Sequence, residues 1–188
     1  MLTVFTLTTE GAILNKNVLI EGLIKRLADG DNRAIGELYD LIRTDVFAYA
    51  FSKMGNSVDA EDVMQETFIK VYKFARQYEP KGKPLAWIFT IEINLIRRYY
   101  QIANRTVAIE DEVFKDDGFE QKILNDAFLQ QMLSNLTEEE REIIVLHAVS
   151  GLKHREISQL IEKPLATVIS KYNRAVKKLQ EIAKEVKQ

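Results

Sequence analysis

The stretch from Leu136 to Lys178, LTEEEREIIVLHAVSGLKHREISQLIEKPLATVISKYNRAVKK, decides the fold. Thr137 and Glu140 form a capping-box pattern: the hydroxyl can accept from the amide three residues on, and the Glu side chain can reach back to the Thr amide. A helix is therefore expected to start there. Ile143, Ile144, Val145, Leu146 and Val149 are its apolar residues, and Gly151 supplies the left-handed residue that commonly ends a helix. A short second helix follows over roughly 153–161, with Ile157, Leu160 and Ile161 on one side. Pro164 suits the first turn of a third helix, which has no use for the missing N–H. Beyond it Val168, Tyr172, Ala175, Val176, Leu179, Ile182, Ala183 and Val186 recur at three- and four-residue steps and form one stripe. A short helix, a turn and a long helix make a helix-turn-helix.

The face opposite that stripe carries Ser170, Asn173, Arg174 and Lys177. A guanidinium and an amide can pair with base edges in the major groove, and Lys charges can meet phosphates. The same composition also describes an ordinary solvated helix face. The compact spacing of the last two helices favours the groove.

Composition is consistent with a folded helical protein. The chain has 188 residues, enough for one medium or two small domains, and its 46% apolar content supports real cores. Only 8 Gly and 3 Pro occur, and few runs alternate in the manner of strands, so the expected class is all-α. With 0 Cys there is no disulfide framework and no thiolate metal site. No apolar run reaches membrane-spanning length and no basic segment precedes an apolar core at the N-terminus, so neither an integral membrane segment nor a secretory signal is expected. A net charge of -2 is low for a nucleic-acid binder, but its distribution counts for more than its sum. Basic residues gather at Arg97, Arg98 and Arg105 and again from Lys171 to Lys184; acidic ones gather at Asp59, Glu61, Asp62 and Glu66 and between Glu110 and Asp126.

Upstream, residues 1–17 show no helical stripe, and LTVFTLTT is compatible with a short strand. Helices are expected at 18–28 and 33–54, then from Ser57 or Asp59 to Tyr78 with Met64, Phe68, Val71, Tyr72 and Ala75 buried, and from Pro84 to Asn104. Residues 105–125, centred on EDEVFKDDGFE, read as an acidic linker that lets its two flanking domains move. Asp59, Asp62 and Glu66 share a helix face with Gln65 beside it, although early carboxylates also complement the helix dipole. In the helix from Pro84, the single Trp87 lies among Lys81, Lys83, Arg97, Arg98, Tyr99 and Tyr100. Cations and flat side chains are what a single-stranded nucleic acid needs, whereas Trp87, Ile88 and Ile91 also make ordinary core.

Two segments carry a family resemblance. LTEEEREIIVLHAVSGLKHREISQLI with PLATVISKYNRA resembles the promoter-reading domain of the extracytoplasmic-function group of bacterial sigma factors, in the sigma-70 family. LIKRLADGDNRAIGELYDLIRTDVFAYAFSKMGNSVDAEDVMQETFIKVYKF and PLAWIFTIEINLIRRYY resemble that group's other domain, which grips RNA polymerase and opens DNA. The implied organisation is an extension at 1–17, a region 2-like domain at 18–104, the linker at 105–125 and a region 4-like helix-turn-helix domain at 126–188. DAEDVMQETF looks like the polymerase-binding signature, which implies that Asp62, Gln65 and Glu66 meet the clamp helices of the β′ subunit. The resemblance further implies contacts with the -10 element from Lys81, Lys83, Asn94, Arg97, Arg98, Tyr99 and Tyr100, and with the -35 element from Thr167, Ser170, Lys171, Asn173, Arg174 and Lys177. It implies core polymerase (β′ clamp helices and β flap), promoter DNA and an anti-sigma protein as partners, a cytoplasmic location, and no cofactor.

The chain departs from the family pattern at several positions. A basic residue is usual where Ile93 stands, an acidic one at Arg98, and a basic one at Gln101. The turn Gly of the helix-turn-helix is replaced by Glu162 and a basic recognition-helix residue by Ile169, while Leu165 and Ala166 stand where Val-Gly is frequent. Fewer phosphate contacts imply weaker and less salt-dependent DNA binding. They also leave open a sigma-like decoy that binds an anti-sigma protein without engaging DNA. Catalysis is not expected: His147 and His154 lack metal-ligand spacing, and no phosphate loop, dinucleotide fingerprint or nucleophile elbow occurs.

Overall fold

The computed structural model describes residues 16–106 and 135–185, all of whose regular structure is helical. Of the expected 105–125 linker, residues 105–106 belong to the fourth helix; the extension before residue 16, residues 107–134 and residues 186–188 lie outside the described residues. Helix α1 spans 16–28, starting two residues earlier than the sequence pattern suggests. It is followed by α2 (Ala34–Met54), α3 (Ser57–Phe74) with a tighter turn at Ala75–Gln77, and α4 (Pro84–Thr106). The C-terminal part has α5 (Glu138–Ile144) running into a wider π turn at Val145–Val149, then α6 (His154–Leu160) and α7 (Leu165–Glu185).

Local chemistry sets the helix ends. Gly55 closes α2 with φ 76, a conformation available to glycine at no steric cost, and donates to the Phe51 carbonyl. One residue later Asn56 caps α3 by accepting from the Asp59 amide. At α5 the capping box forms in both directions, Thr137 N–H to Glu140 at 2.9 Å and Glu140 N–H to the Thr137 hydroxyl at 3.3 Å. The π turn inserts an extra residue into the ladder, and Ser150 N–H bonds the Val145 carbonyl. That rotation leaves Val149 at 45% exposure, outside the core in which the sequence pattern puts it.

Helix α2 is the hub. Val46, Phe47, Tyr49 and Ala50 are all buried, more than one face can account for, because α2 is covered on one side by α3 and α4 and on another by α5 and its π turn. One apolar core therefore runs through both halves of the molecule, joining Phe47, Tyr49 and Phe89 to Leu146, Leu152, Ile157 and Val168. The domains that the acidic linker would let move apart are packed against each other. A smaller cluster of Leu136, Ile144 and Ala175, with Tyr172, Val176 and Leu179 against it, ties α5 to α7.

One further expectation is corrected. Tyr72 is 45% exposed rather than buried, with its hydroxyl donating to Asn32 at 2.9 Å; the α1–α2 turn offers a polar partner instead of an apolar wall. Trp87 packs against the apolar core, partly buried, with its ring on Tyr78 at a centroid separation of 5.0 Å.

The turn between α6 and α7 holds Glu162 at φ 56, the left-handed region, which costs a non-glycine residue about 1–2 kcal/mol. Its neighbours pin it: the Ser158 hydroxyl donates to the Lys163 carbonyl at 2.7 Å, and Lys163 N–H bonds the Ser158 carbonyl at 3.1 Å.

Candidate nucleic-acid interface

On α3, Asp62 and Gln65 are exposed and Glu66 is half-exposed, paired with Lys70 at 3.5 Å. Ile69 and Tyr72 continue the same surface at 46% and 45% exposure. Carboxylates beside exposed apolar groups suit a partner that is basic and partly apolar.

On α4, Asn94, Arg97, Arg98, Tyr99 and Tyr100 follow one another on the exposed side, while Ile88, Phe89, Ile93 and Ile96 are buried. The position of Ile93, where the family places a cation, is thus a core position in this chain. Burial, then the nearby Asp59 carboxylate, pushes the Tyr99 hydroxyl up to about 12. Tyr100 donates to the Lys53 carbonyl. Lys81 pairs with Glu79 at 2.6 Å on the loop before α4, and a cavity of about 380 Å³ opens between Lys81, Lys83, Tyr78, Trp87 and the α6 residues Glu156 and Gln159.

On α7 the six residues divide. Ser170, Asn173, Arg174 and Lys177 are exposed along one side, with Arg174 and Ser170 3.5 Å apart. Thr167 and Lys171 turn towards α5 and line a groove with Glu139 and Lys163. Glu139 takes both Lys171 and Lys163, and these two, Lys171 first, hold its carboxyl down at about 2. Glu140, besides closing the capping box, pairs with Lys178 at 2.6 Å. Ile169 is 38% exposed.

Between the halves lies a polar seam that no local sequence pattern announces. Tyr49 donates to Glu142 at 2.7 Å, and Lys53 stands 2.6 Å from Glu138 and 3.5 Å from Glu142. Arg97 of α4 reaches Glu162 at 3.1 Å, and Lys83 lies 3.8 Å from Glu156. Burial, then the Glu142 charge, pushes the Tyr49 phenol well above its ordinary range. Beneath the seam Glu92 is wholly buried, neither carboxyl oxygen has a hydrogen-bond partner, and burial pushes its carboxyl well up.

The two histidines stack at 4.2 Å and both meet the edge or face of Tyr172. His147 Nδ1 donates to the Leu152 carbonyl at 2.7 Å, which fixes the ring inside the helix-turn-helix, and burial followed by His147 lowers the His154 pKa. Among the described residues no three His, Cys, Asp or Glu side chains converge as a metal site, and no described helix is long and apolar enough to cross a membrane.

The chain thus has an N-terminal helical part with an exposed acidic face on α3 and exposed basic and aromatic residues on α4, followed by a helix-turn-helix with a polar outer row. Family comparison agrees: residues 38–106 match sigma-70 region 2, and residues 129–179 match sigma-70, region 4. The chain is 32% identical to the ECF RNA polymerase sigma factor SigE of Mycolicibacterium smegmatis over 82% of its own length and 64% of that relative's, so it spans under two thirds of that protein. It is 26% identical to the ECF sigma factor SigW of Bacillus subtilis, over 84% of this chain and 92% of that one. Among solved structures, CnrH in complex with the cytosolic domain of CnrY superposes with a TM-score of 0.64 at 24% identity, covering 89% of this chain and 98% of that one. The sigma factor RpoE in complex with the anti-sigma factor NepR from Bartonella quintana gives 0.60 at 24% identity, over 79% and 96%. These two likenesses establish the fold. The chain belongs to the sigma-70 family, in its extracytoplasmic-function group.

Proposed function

We propose that this chain binds bacterial core RNA polymerase and directs it to promoters. Asp62, Gln65 and Glu66 on α3 face the polymerase clamp helices. Lys81, Lys83, Asn94, Arg97, Arg98, Tyr99 and Tyr100 hold the opened strand of the -10 element, cations on phosphates and rings on unstacked bases. Ser170, Asn173, Arg174 and Lys177 read the -35 element from the major groove, with Thr167 and Lys171 at its edge. The domains are those of residues 18–104 and 126–188, and the protein works in the cytoplasm without a cofactor. The observation that carries this reading is the exposed polar row on α7, set on the second helix of a helix-turn-helix in a chain with both sigma regions. An anti-sigma protein is the expected regulator, as the structural neighbour RpoE is a sigma factor solved with the anti-sigma factor NepR.

The second reading is a decoy that binds an anti-sigma protein and leaves DNA alone. It gains from the ion pairs that occupy Lys171, Lys83 and Arg97. Run-off transcription with purified core polymerase on a genomic DNA library separates the two. Discrete start sites that depend on this protein support the first reading, and their absence with anti-sigma binding intact supports the second.

A further inference from the structure

Among the described residues, the ion pairs across the seam all have the same polarity. The cations, Lys53, Lys83 and Arg97, come from α2, the loop before α4 and α4; the carboxylates, Glu138, Glu142, Glu156 and Glu162, come from α5, α6 and the turn after α6. Two of these cations, Lys83 and Arg97, are those assigned above to the promoter strand. A carboxylate on a guanidinium uses the same planar donors that a phosphate would use.

Exposed ion pairs of this kind contribute little on their own. Here apolar packing has already positioned them, since Leu146, Leu152, Ile157 and Val168 share one core with α2 and α4. The buried bond from Tyr49 to Glu142 fixes the register of that contact. Glu162 is the informative member. Its backbone at φ 56 suits glycine, and the residue that accepts this strained conformation aims its carboxylate at Arg97.

We propose that the packed arrangement is a self-inhibited state, in which carboxylates of the C-terminal domain occupy the cations of the N-terminal domain in place of DNA phosphates, with Glu162 as the latch on Arg97. The proposal rests on the reading that Lys83 and Arg97 meet DNA. Closure and strand binding then exclude each other, so loosening one favours the other by the same factor.

The test uses the full chain, which has 0 cysteines, labelled with a donor and an acceptor dye through Asp40→Cys and Gln180→Cys, both exposed positions on opposite sides of the seam. Glu162→Gly relieves the backbone and removes the carboxylate; Glu162→Asn removes the charge while keeping a residue that tolerates the left-handed region. Both should lower energy transfer, shift opening to lower salt, and tighten binding of a fluorescein-labelled single-stranded oligonucleotide several-fold. The exchange Arg97→Glu with Glu162→Arg should restore the transfer lost in Glu162→Arg alone. Unchanged transfer in both Glu162 variants overturns the latch. Lowered transfer with unchanged oligonucleotide binding overturns the inhibition. If no variant binds any DNA although the molecule opens, the inhibition falls together with the promoter reading itself, an outcome distinct from failure of the latch.

Discussion

The hydroxyl of Tyr49 donates to a carboxylate oxygen of Glu142 at 2.7 Å, across a separation of 93 residues and in a buried setting. This bond joins the central helix of one domain to the first described helix of the other. Replacing Tyr49 by Phe keeps the ring packing on Phe89 but leaves a buried carboxylate oxygen without its donor, which should cost about 1–3 kcal/mol. Tyr72→Phe, which removes the exposed bond to Asn32, should cost roughly 0.5 kcal/mol or less by the usual scale of surface substitutions. Urea unfolding of the two variants checks the difference, and equal midpoints would show that the seam bond adds no stability.

Glu92 sets a pH dependence whose sign follows from its environment. Its folded-state pKa is raised, so the native protein holds a proton that the unfolded chain releases above its ordinary value near 4.5. Stability attributable to this group therefore falls as pH rises above that value. Glu92→Met, similar in length and with nothing to desolvate, should stabilise the protein at pH 7.5 by about 1–3 kcal/mol and by less at pH 5. A thermal melt of both proteins at the two pH values decides it; a destabilised variant at pH 7.5 would mean that Glu92 has a polar partner in solution.

Glu139 works in the opposite direction. Lys171 and Lys163 hold its carboxyl at about 2, so its contribution is present above the unfolded value near 4.5 and lost as pH falls towards 2. The carboxylate is well exposed, so the stabilisation is about 0.5–1 kcal/mol at most. Its larger expected effect concerns DNA binding: Glu139→Gln frees Lys171 of α7 and Lys163 in the turn before it. Fluorescence anisotropy with duplex promoter DNA should then show tighter binding and a steeper salt dependence, by up to two phosphate contacts.

How far the sequence could be read depends on distance along the chain. The capping box of Thr137 and Glu140 and the register of α7 were legible because each is settled within a few residues. Tyr72 was not, because its place depends on Asn32 across the α1–α2 turn, and an aromatic after Val71 gives no sign of that partner. Glu92 carries no local signal, because a single carboxylate among Phe89, Ile93 and Ile96 has no periodicity of its own. The seam was invisible for a stronger reason. Nothing local pairs Lys53 with Glu138 or Arg97 with Glu162, and the notable fact about Glu162, a missing glycine, said where the backbone turns but not where the carboxylate goes.

Arg174 separates base reading from phosphate contact. If its guanidinium forks onto a base edge, Arg174→Ala should cost about 1–3 kcal/mol on the cognate promoter and relax discrimination at one position. If it meets a phosphate, all duplexes weaken alike. Competition binding with a set of single-position promoter variants reads the difference. Ile169→Lys, at a position already 38% exposed, should strengthen binding and steepen the salt slope by about one contact.

The acidic face of α3 is proposed to bring polymerase to a promoter. The most direct measurement is run-off transcription with purified core polymerase, comparing the native chain with Asp62→Lys combined with Glu66→Lys, two solvent-facing changes that should leave the circular dichroism spectrum unaltered. Discrete transcripts are expected from the native chain, and their loss, together with loss of polymerase binding, from the charge-reversed one. Native-level transcription and polymerase affinity in the charge-reversed protein would contradict it.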